Sequence, residues 1–563
     1  MNNEISSLPQ TQLKRIRFSF VAIVLLAITT YVFHKSALSG FWNNDDGQHM
    51  AFAAQYSPWQ YFFVPEITRL IGLHVTPWIA FFYDVNLWLF GLNPKGFYAH
   101  QLFLLWLAGM ATFFFLRLWI VSTWALFGAL IFLAGAPTVH VAHTLMTGHY
   151  AAGLSFTIIA LYSYVKAVRE RRRLWALAGA LFYLLAASCK EIYVPLIGIL
   201  LILPTSAHFK DHFRFSLPFG MVAIFYVFWR RQVLGGFIGG YKSDATIDPI
   251  LAVKALGHIP FLLLGDNALG KVALSVIAML ILFNLRYGRI NLKLLIVGAV
   301  LLLLPLVPIV LLPTGILLRY LFLVWWGVAV FIATLLSTYA TNTIKRVFVA
   351  IGLFLVGVTV NLHYAEQRKV LLELIPHERA YYFMLNSNSS QFYLPPGPYY
   401  SFLNFILGSM VKSEKAINPL SPQRAGIMKV EDDLASLDLA KTSVWTYDDT
   451  CKCNKDISAD IPGMVLEFQK KQLEKPLSLQ VELASNVLIW EAGPYNEGDY
   501  EFVLTGPSTD FGVYPVPRKW SMTWFWFLST DVDLYLRYKS PEGWITRSPV
   551  FHLKPSSAVT WSR

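Results

Sequence analysis

The chain has 563 residues, of which 55% are hydrophobic, 15% aromatic and only 14% charged, and its mean hydropathy is +0.49. That composition excludes a soluble globular enzyme and predicts a polytopic α-helical membrane protein. The net charge of +12 does not point to nucleic acid, because Lys and Arg fall in short clusters between apolar runs, where membrane orientation explains them. With 3 cysteines there is no disulfide framework. Cys189 lies in an apolar run, and Cys451 and Cys453 share one loop, open between a bridge and two free thiols.

In chain order, residues 1–17 are polar and carry Lys14, Arg15 and Arg17, a cytoplasmic flank by the positive-inside rule. The apolar run Phe18–Leu38 is long enough to span a bilayer. Ala37, Leu38 and Ser39 resemble a cleavage site, but the run exceeds a usual signal-peptide core, so an uncleaved anchor is expected. Residues 39–95 are too polar and broken to cross, and read as an outer loop forming a lid. Within it, Asp46–Tyr56 and Pro77–Phe90 are expected to be interfacial helices, with Trp59, Tyr61, Trp78 and Trp88 as headgroup-level anchors. Further spans are expected near Phe97–Leu118, Trp124–Pro137, Ala151–Val168, Leu174–Ser188, Ile192–Leu203, Phe215–Phe228, Val272–Leu285, Leu292–Leu312, Tyr320–Leu336 and Val347–Val360, about eleven in all.

Charge supports this parity. The basic groups around Arg169–Arg173, Lys210, Arg214, Arg286, Arg289, Lys293, Lys345 and Arg346 fall on the side of the N-terminus, and the remaining polar connections fall opposite. From about residue 363 the composition becomes that of a soluble domain, on the outer side. Residues 363–474 read as a mixed α/β segment, with Val370–Ile375 ending a helix and Tyr381–Leu385 as a strand. Residues 475–563 read as a small β-sandwich, with strands at Val487–Trp490, Tyr500–Leu504, Met522–Phe527 and Val532–Arg537 between Gly, Pro and Asn turns.

The chemistry is expected in Phe41–His49, directly after the first apolar run. Two adjacent carboxylates and a histidine where a chain leaves the bilayer are costly unless they bind or react with something. Asp46 and Asp45 are the candidate reaction centre, with N-capping of the following helix as the plain alternative. His49 shares a helical face with either, and orients the base, completes a metal site, or does neither. Arg319, opening a late apolar span, either takes up an anion through its guanidinium or snorkels to the interface. Lys190 either binds an anion or pairs with Glu191 in a short hairpin. Arg230 and Arg231 end a span on the outer side, against the positive-inside trend, and are candidates to meet an anionic headgroup. His140, His143 and His149 lie in the second outer connection; with no Cys or acidic residue nearby they read as polar loop residues near the substrate cleft rather than a zinc site. Gly235, Gly236, Gly239 and Gly240 form a flexible loop, not a phosphate-cradling motif. Trp520, Trp524, Trp526 and Trp544 stack on sugars or, in the plainer reading, fill the tail's core.

The order of these features resembles the GT-C glycosyltransferases. Asn44–His49, then Leu89–Pro94 before His100, is similar to the first-loop pattern of dolichyl-phosphate-mannose-dependent mannosyltransferases and their bacterial relatives, and Ala187–Glu191 with Pro195, and Leu318–Tyr320, also match. The resemblance covers residues 15–360 and leaves the tail out. It implies a GT-C-like transmembrane domain over 1–362 that transfers a sugar, with inversion, from a polyprenyl-phosphate donor to a glycan, lipid or protein acceptor. Asp46 or Asp45 would then act as base, Arg319, Lys190, Arg230 and Arg231 on the donor phosphate, and His49, Glu191 and His143 in support or at the acceptor. No cofactor is firm; a divalent cation, Mg or Mn, stays open. A bacterial inner membrane, with a cytoplasmic N-terminus and a periplasmic tail, is expected. A membrane-anchored sugar-binding protein and a lipid-linked-sugar transporter are the competing classes.

Overall fold

The computed structural model describes residues 10–42, 46–71, 74–205, 207–235, 249–264, 275, 292–306, 317–337, 352, 390–393, 427–428, 434–435, 437–448, 450–484, 487–505, 513–523, 532–554 and 556–563. They belong to two compact units, one of residues 1–40, 62–82 and 94–369, the other of residues 41–61, 83–93 and 370–563.

In the first unit, α1 (Gln10–His34) runs through a 3-10 turn to Gly40. A Cβ on Gly40 would lie 2.5 Å from the ring of Tyr98, so this exit needs glycine. Then come α6 (Pro94–Leu116), α7 (Ser122–Ala134), α8 (Ala136–His143), α9 (Gly148–Glu170), α10 (Arg173–Cys189), α11 (Phe209–Leu234), α12 (Pro249–Leu264), α13 (Leu292–Leu303) and α14 (Phe322–Ser337); the shorter helices α2 to α5, with α4 at Pro65–Leu70, lie between α1 and α6. Among the described residues five stretches are long and apolar enough to cross a membrane, Ile16–Ser39, Pro94–Leu116, Leu145–Glu170, Phe209–Leu234 and Leu318–Ser337, by length and composition. The chain is an integral membrane protein on these helices.

Several expected spans take another form. Trp124–Pro137 is not one straight helix: α7 and α8 are bent by 57° at Gly135. Pro137 suits the first turn of a new helix, and the Gly135 backbone rests on Trp325, whose indole Nε1 donates to Phe132 O at 3.1 Å. A Cβ at Gly135 would come within 1.8 Å of that nitrogen. Ile192–Leu203 is not an α-helix. It begins as a 3-10 helix, Glu191–Ile199, with Pro195 inside, where the missing N–H and the ring oppose an α-helical ladder. Arg173–Cys189 is apolar but only 17 residues long. The helix α12 (Pro249–Leu264) was not expected. The expected spans at 272–285 and 347–360 lie almost wholly outside the described residues, as do the end of 292–312, the helix end at 370–375 and the strand at 381–385.

The second unit contains α2 (Asp46–Gln55), α3 (Pro58–Phe63) up to its Tyr61, and the later part of α5 (Pro77–Phe90). Tyr61 is buried rather than an interfacial anchor. Its C-terminal part is β-rich. Strands β1 (Ser390–Tyr393), β2 (Ile427–Met428), β3 (Ser443–Asp448) and β4 (Cys453–Asp456) form a sheet ordered β2-β1-β3-β4. Beside it α15 (Ile461–Lys471) places Ile461 in a core with Tyr393, Leu434, Val444 and Ile457. Cys451 and Cys453 are bridged at the β3–β4 turn.

A four-stranded sheet follows, from β5 (Ser478–Ala484), β6 (Val487–Gly493), β9 (Lys519–Thr523) and β13 (Ser557–Ser562), ordered β13-β5-β6-β9. A five-stranded sheet is made by β7 (Asp499–Thr505), β8 (Val513–Val516), β10 (Val532–Lys539), β11 (Ile545–Arg547) and β12 (Phe551–Leu553). Leu479, Val481 and Leu483 of β5, and Leu488 and Trp490 of β6, alternate inward, and Trp490 meets Phe502 across the sheets edge-on at 5.3 Å. Buried Arg537 pairs with Glu501 on the neighbouring strand at 2.8 Å. Trp544 packs against Tyr495 and Tyr538, whereas Trp520 is 56% exposed; Trp524 and Trp526 lie outside the described residues.

Candidate functional site

Chemistry-bearing side chains gather at one place in each unit. In the second unit Asp46 opens α2 and is fully buried. The Tyr83 hydroxyl donates to its Oδ1 at 2.5 Å, and the ring of His49, one turn along α2, stacks on Tyr83 with centroids 5.5 Å apart. The next residue, Asp84, accepts from the buried Tyr61 hydroxyl at 2.9 Å. Burial, followed by the charge and hydrogen bond of Asp84, raises Tyr61, so this phenol keeps its proton. The Asp46 carboxylate is thus turned toward α5. Asp45 lies outside the described residues.

In the first unit the polypeptide leaves α10 in an extended conformation at Lys190 and turns at once into the 3-10 helix that begins with Glu191. Glu191 does not pair with Lys190, as a simple hairpin would have it. Its Oε1 accepts from Arg230 Nε at 2.9 Å, and its Oε2 meets His74 Nδ1 at 3.0 Å. Burial would raise Glu191, but the His74 hydrogen bond and the charges of Arg230 and Lys190 hold it down at about 2. Burial and the Lys190 charge lower His74 against the pull of Glu191, so near neutral pH it donates as a neutral imidazole.

Lys190 is buried, with its ammonium 6.0 Å over the Tyr150 ring. Its ammonium makes no hydrogen bond to a described residue. Burial lowers it to about 8; Glu191 opposes this, and the nearby Arg319 adds to it. Arg319 sits in the 3-10 turn Leu318–Leu321 ahead of α14. Arg230 pairs with Glu191, and Lys190 lies within electrostatic reach of both Glu191 and Arg319, so Lys190, Arg230 and Arg319 gather in a partly dehydrated setting. Such a cluster is matched to an anion such as a phosphate.

Arg231, next to Arg230, is exposed. His140 and His143 are not loop residues but form the last turn of α8. His143 is buried, its Nδ1 donating to Val139 O at 2.9 Å and its Nε2 paired with Ser36 at 3.0 Å, so it ties α8 to the end of α1. His149 lies in the first turn of α9. The loop glycines beyond Gly235 lie outside the described residues. Among the described residues no three His, Cys, Asp or Glu side chains gather as a metal ion would need. Tyr83 and His74 escaped the sequence reading; the only hint of the first was its place in an aromatic-rich helix beside the acidic loop.

An integral membrane protein with a buried, tyrosine-held carboxylate and a cationic cluster is the class these features define. No family model matches the chain, and no curated protein matches it. Among solved structures it is similar to ArnT from Cupriavidus metallidurans bound to undecaprenyl phosphate, at 13% identity over 82% of this chain and 92% of that one, with a TM-score of 0.43. It is also similar to the apo state of the same protein, at 12% identity over 84% and 93%, with a TM-score of 0.42.

Proposed function

We propose that this chain is an integral-membrane glycosyltransferase of the GT-C kind that moves a sugar from a polyprenyl-phosphate donor to an extracytoplasmic acceptor. The observation that carries the reading is the gathering of Lys190, Arg230 and Arg319 near Glu191, with Lys190 buried and within electrostatic reach of Arg319. A departing lipid phosphate takes the electron pair of the broken bond, and fixed cations at low dielectric stabilise that charge where it develops. The acceptor hydroxyl attacks the anomeric carbon and gives its proton to Asp46. The bond from that carbon to the phosphate oxygen breaks, the polyprenyl phosphate leaves, and the configuration inverts.

Tyr83 donates to one Asp46 oxygen, which holds the carboxylate in one orientation. The bridged Cys451 and Cys453 support an oxidising location for the tail, in line with a charge pattern that favours the side opposite the N-terminus; the resemblance to bacterial relatives favours the periplasmic side of an inner membrane. The acceptor class, glycan, lipid or protein, follows from no single side chain. Purified protein incubated with radiolabelled polyprenyl-phosphate sugars and acceptor tests the reading. Consumption of one donor by the native chain but not by Asp46→Asn supports it; consumption of none, or equal consumption by the variant, refutes it.

A further inference from the structure

The phosphate-site reading leaves the buried hydroxyl of Tyr226 without an assigned task. Tyr226 lies one turn before Arg230 on α11, so the two share a helical face. It is 2% exposed, and its hydroxyl has no hydrogen-bond partner among the described residues. It lies within electrostatic reach of both Glu191 and Arg230, yet Glu191 is engaged by His74 and Arg230 instead. The ring is fixed edge-on against Trp229 at 6.0 Å. A buried donor with nothing to donate to is costly, and the cost is recovered when a ligand brings an acceptor.

Resting on the glycosyltransferase reading, we infer that the Tyr226 hydroxyl is a further ligand of the lipid phosphate, donating to a phosphate oxygen held by Arg230 and Lys190. It adds a neutral, directional donor to a site otherwise made of charges. Such a donor fixes which phosphate oxygen faces α11, and so orients the sugar-bearing oxygen.

The test compares the binding of undecaprenyl phosphate and undecaprenol to detergent-purified native protein, Tyr226→Phe and Lys190→Gln, with inorganic phosphate as competitor. Phenylalanine fills the same space. Tyr226→Phe is expected to weaken undecaprenyl phosphate at least about tenfold, to leave undecaprenol unchanged, and to blunt competition by inorganic phosphate. Without ligand its melting temperature is expected to match or exceed the native value, because an unsatisfied hydroxyl has been removed. If Tyr226→Phe binds undecaprenyl phosphate as native does while Lys190→Gln is weakened, the Tyr226 assignment falls and the phosphate site stands. A clear fall in the ligand-free melting temperature also overturns it, since the hydroxyl then has a structural partner such as a buried water. If native protein prefers undecaprenyl phosphate no more than undecaprenol, the phosphate reading falls and this assignment with it.

Discussion

Lys190 offers the sharpest test of the cationic cluster, because its charge is only just maintained. Burial brings it to about 8 in the empty site, with Glu191 opposing and Arg319 assisting. A phosphate binds the protonated amine, so donor affinity should be flat below about pH 7.5 and fall as pH rises through 8. The fall approaches tenfold per pH unit until the raised pKa of the occupied site is reached. Two substitutions should move this limb in opposite directions. Glu191→Gln removes the charge that supports the ammonium, and the limb should move to lower pH by about one unit. Arg319→Gln removes a repelling cation, and the limb should move about one unit higher even as affinity at pH 7 drops about tenfold for want of one phosphate contact. Glu191→Gln also leaves Arg230 buried without its carboxylate, a change costing about 3–5 kcal/mol, so Arg319→Gln keeps the test open if that variant does not fold. The assay is equilibrium binding of a polyprenyl-phosphate donor from pH 6 to 9.5. A native profile flat through pH 8, or limbs that shift together in the two variants, would refute the reasoning.

Tyr83→Phe removes the 2.5 Å hydrogen bond to Asp46; it should lower kcat by about ten- to a hundredfold and leave donor affinity within about twofold. A matching loss of donor affinity would mean that the loop had collapsed. Gly135→Ala drives a methyl group into Trp325 and should destabilise the α7–α8 bend by about 3 kcal/mol, read as a lower melting temperature in detergent; an unchanged value would show that the bend is not held by this contact. In spheroplasts treated with a membrane-impermeant reductant, an impermeant maleimide should label Cys451 and Cys453 but not the buried Cys189. Protection of the pair until lysis would place the tail inside the cell.

The local features of the segment between α1 and α6 were legible because they depend on neighbours in sequence. The helix Pro77–Phe90 was expected with the bounds it has, since Pro77 starts a helix and Gly91, at φ +56°, stops it. What assembles the cationic cluster was not legible. His74 and Glu191 are 117 residues apart, and Arg230 is a further 39 beyond Glu191. Adjacency suggested a Lys190–Glu191 pair, whereas the extended backbone at Lys190 separates the two side chains and gives the carboxylate to distant partners. Apolar composition also hid backbone breaks. Pro195 sits in a run as hydrophobic as any span, so hydropathy read a helix where the peptide chemistry makes a 3-10 turn. Trp325 holds the bend at Gly135 from a helix nearly two hundred residues away, beyond the reach of periodicity.

The central claim is that a lipid phosphate leaves from a sugar under the charge of Lys190, Arg230 and Arg319 while Asp46 takes the acceptor proton. Mass analysis of the lipid product after a single turnover tests it most directly, with native protein, Asp46→Asn and Lys190→Gln given the same polyprenyl-phosphate sugar and acceptor. The account predicts intact polyprenyl phosphate and a glycosylated acceptor from the native chain, and unreacted donor from both variants. Free polyprenol, which would signal cleavage on the other side of the phosphate, or equal turnover by the variants, would contradict it.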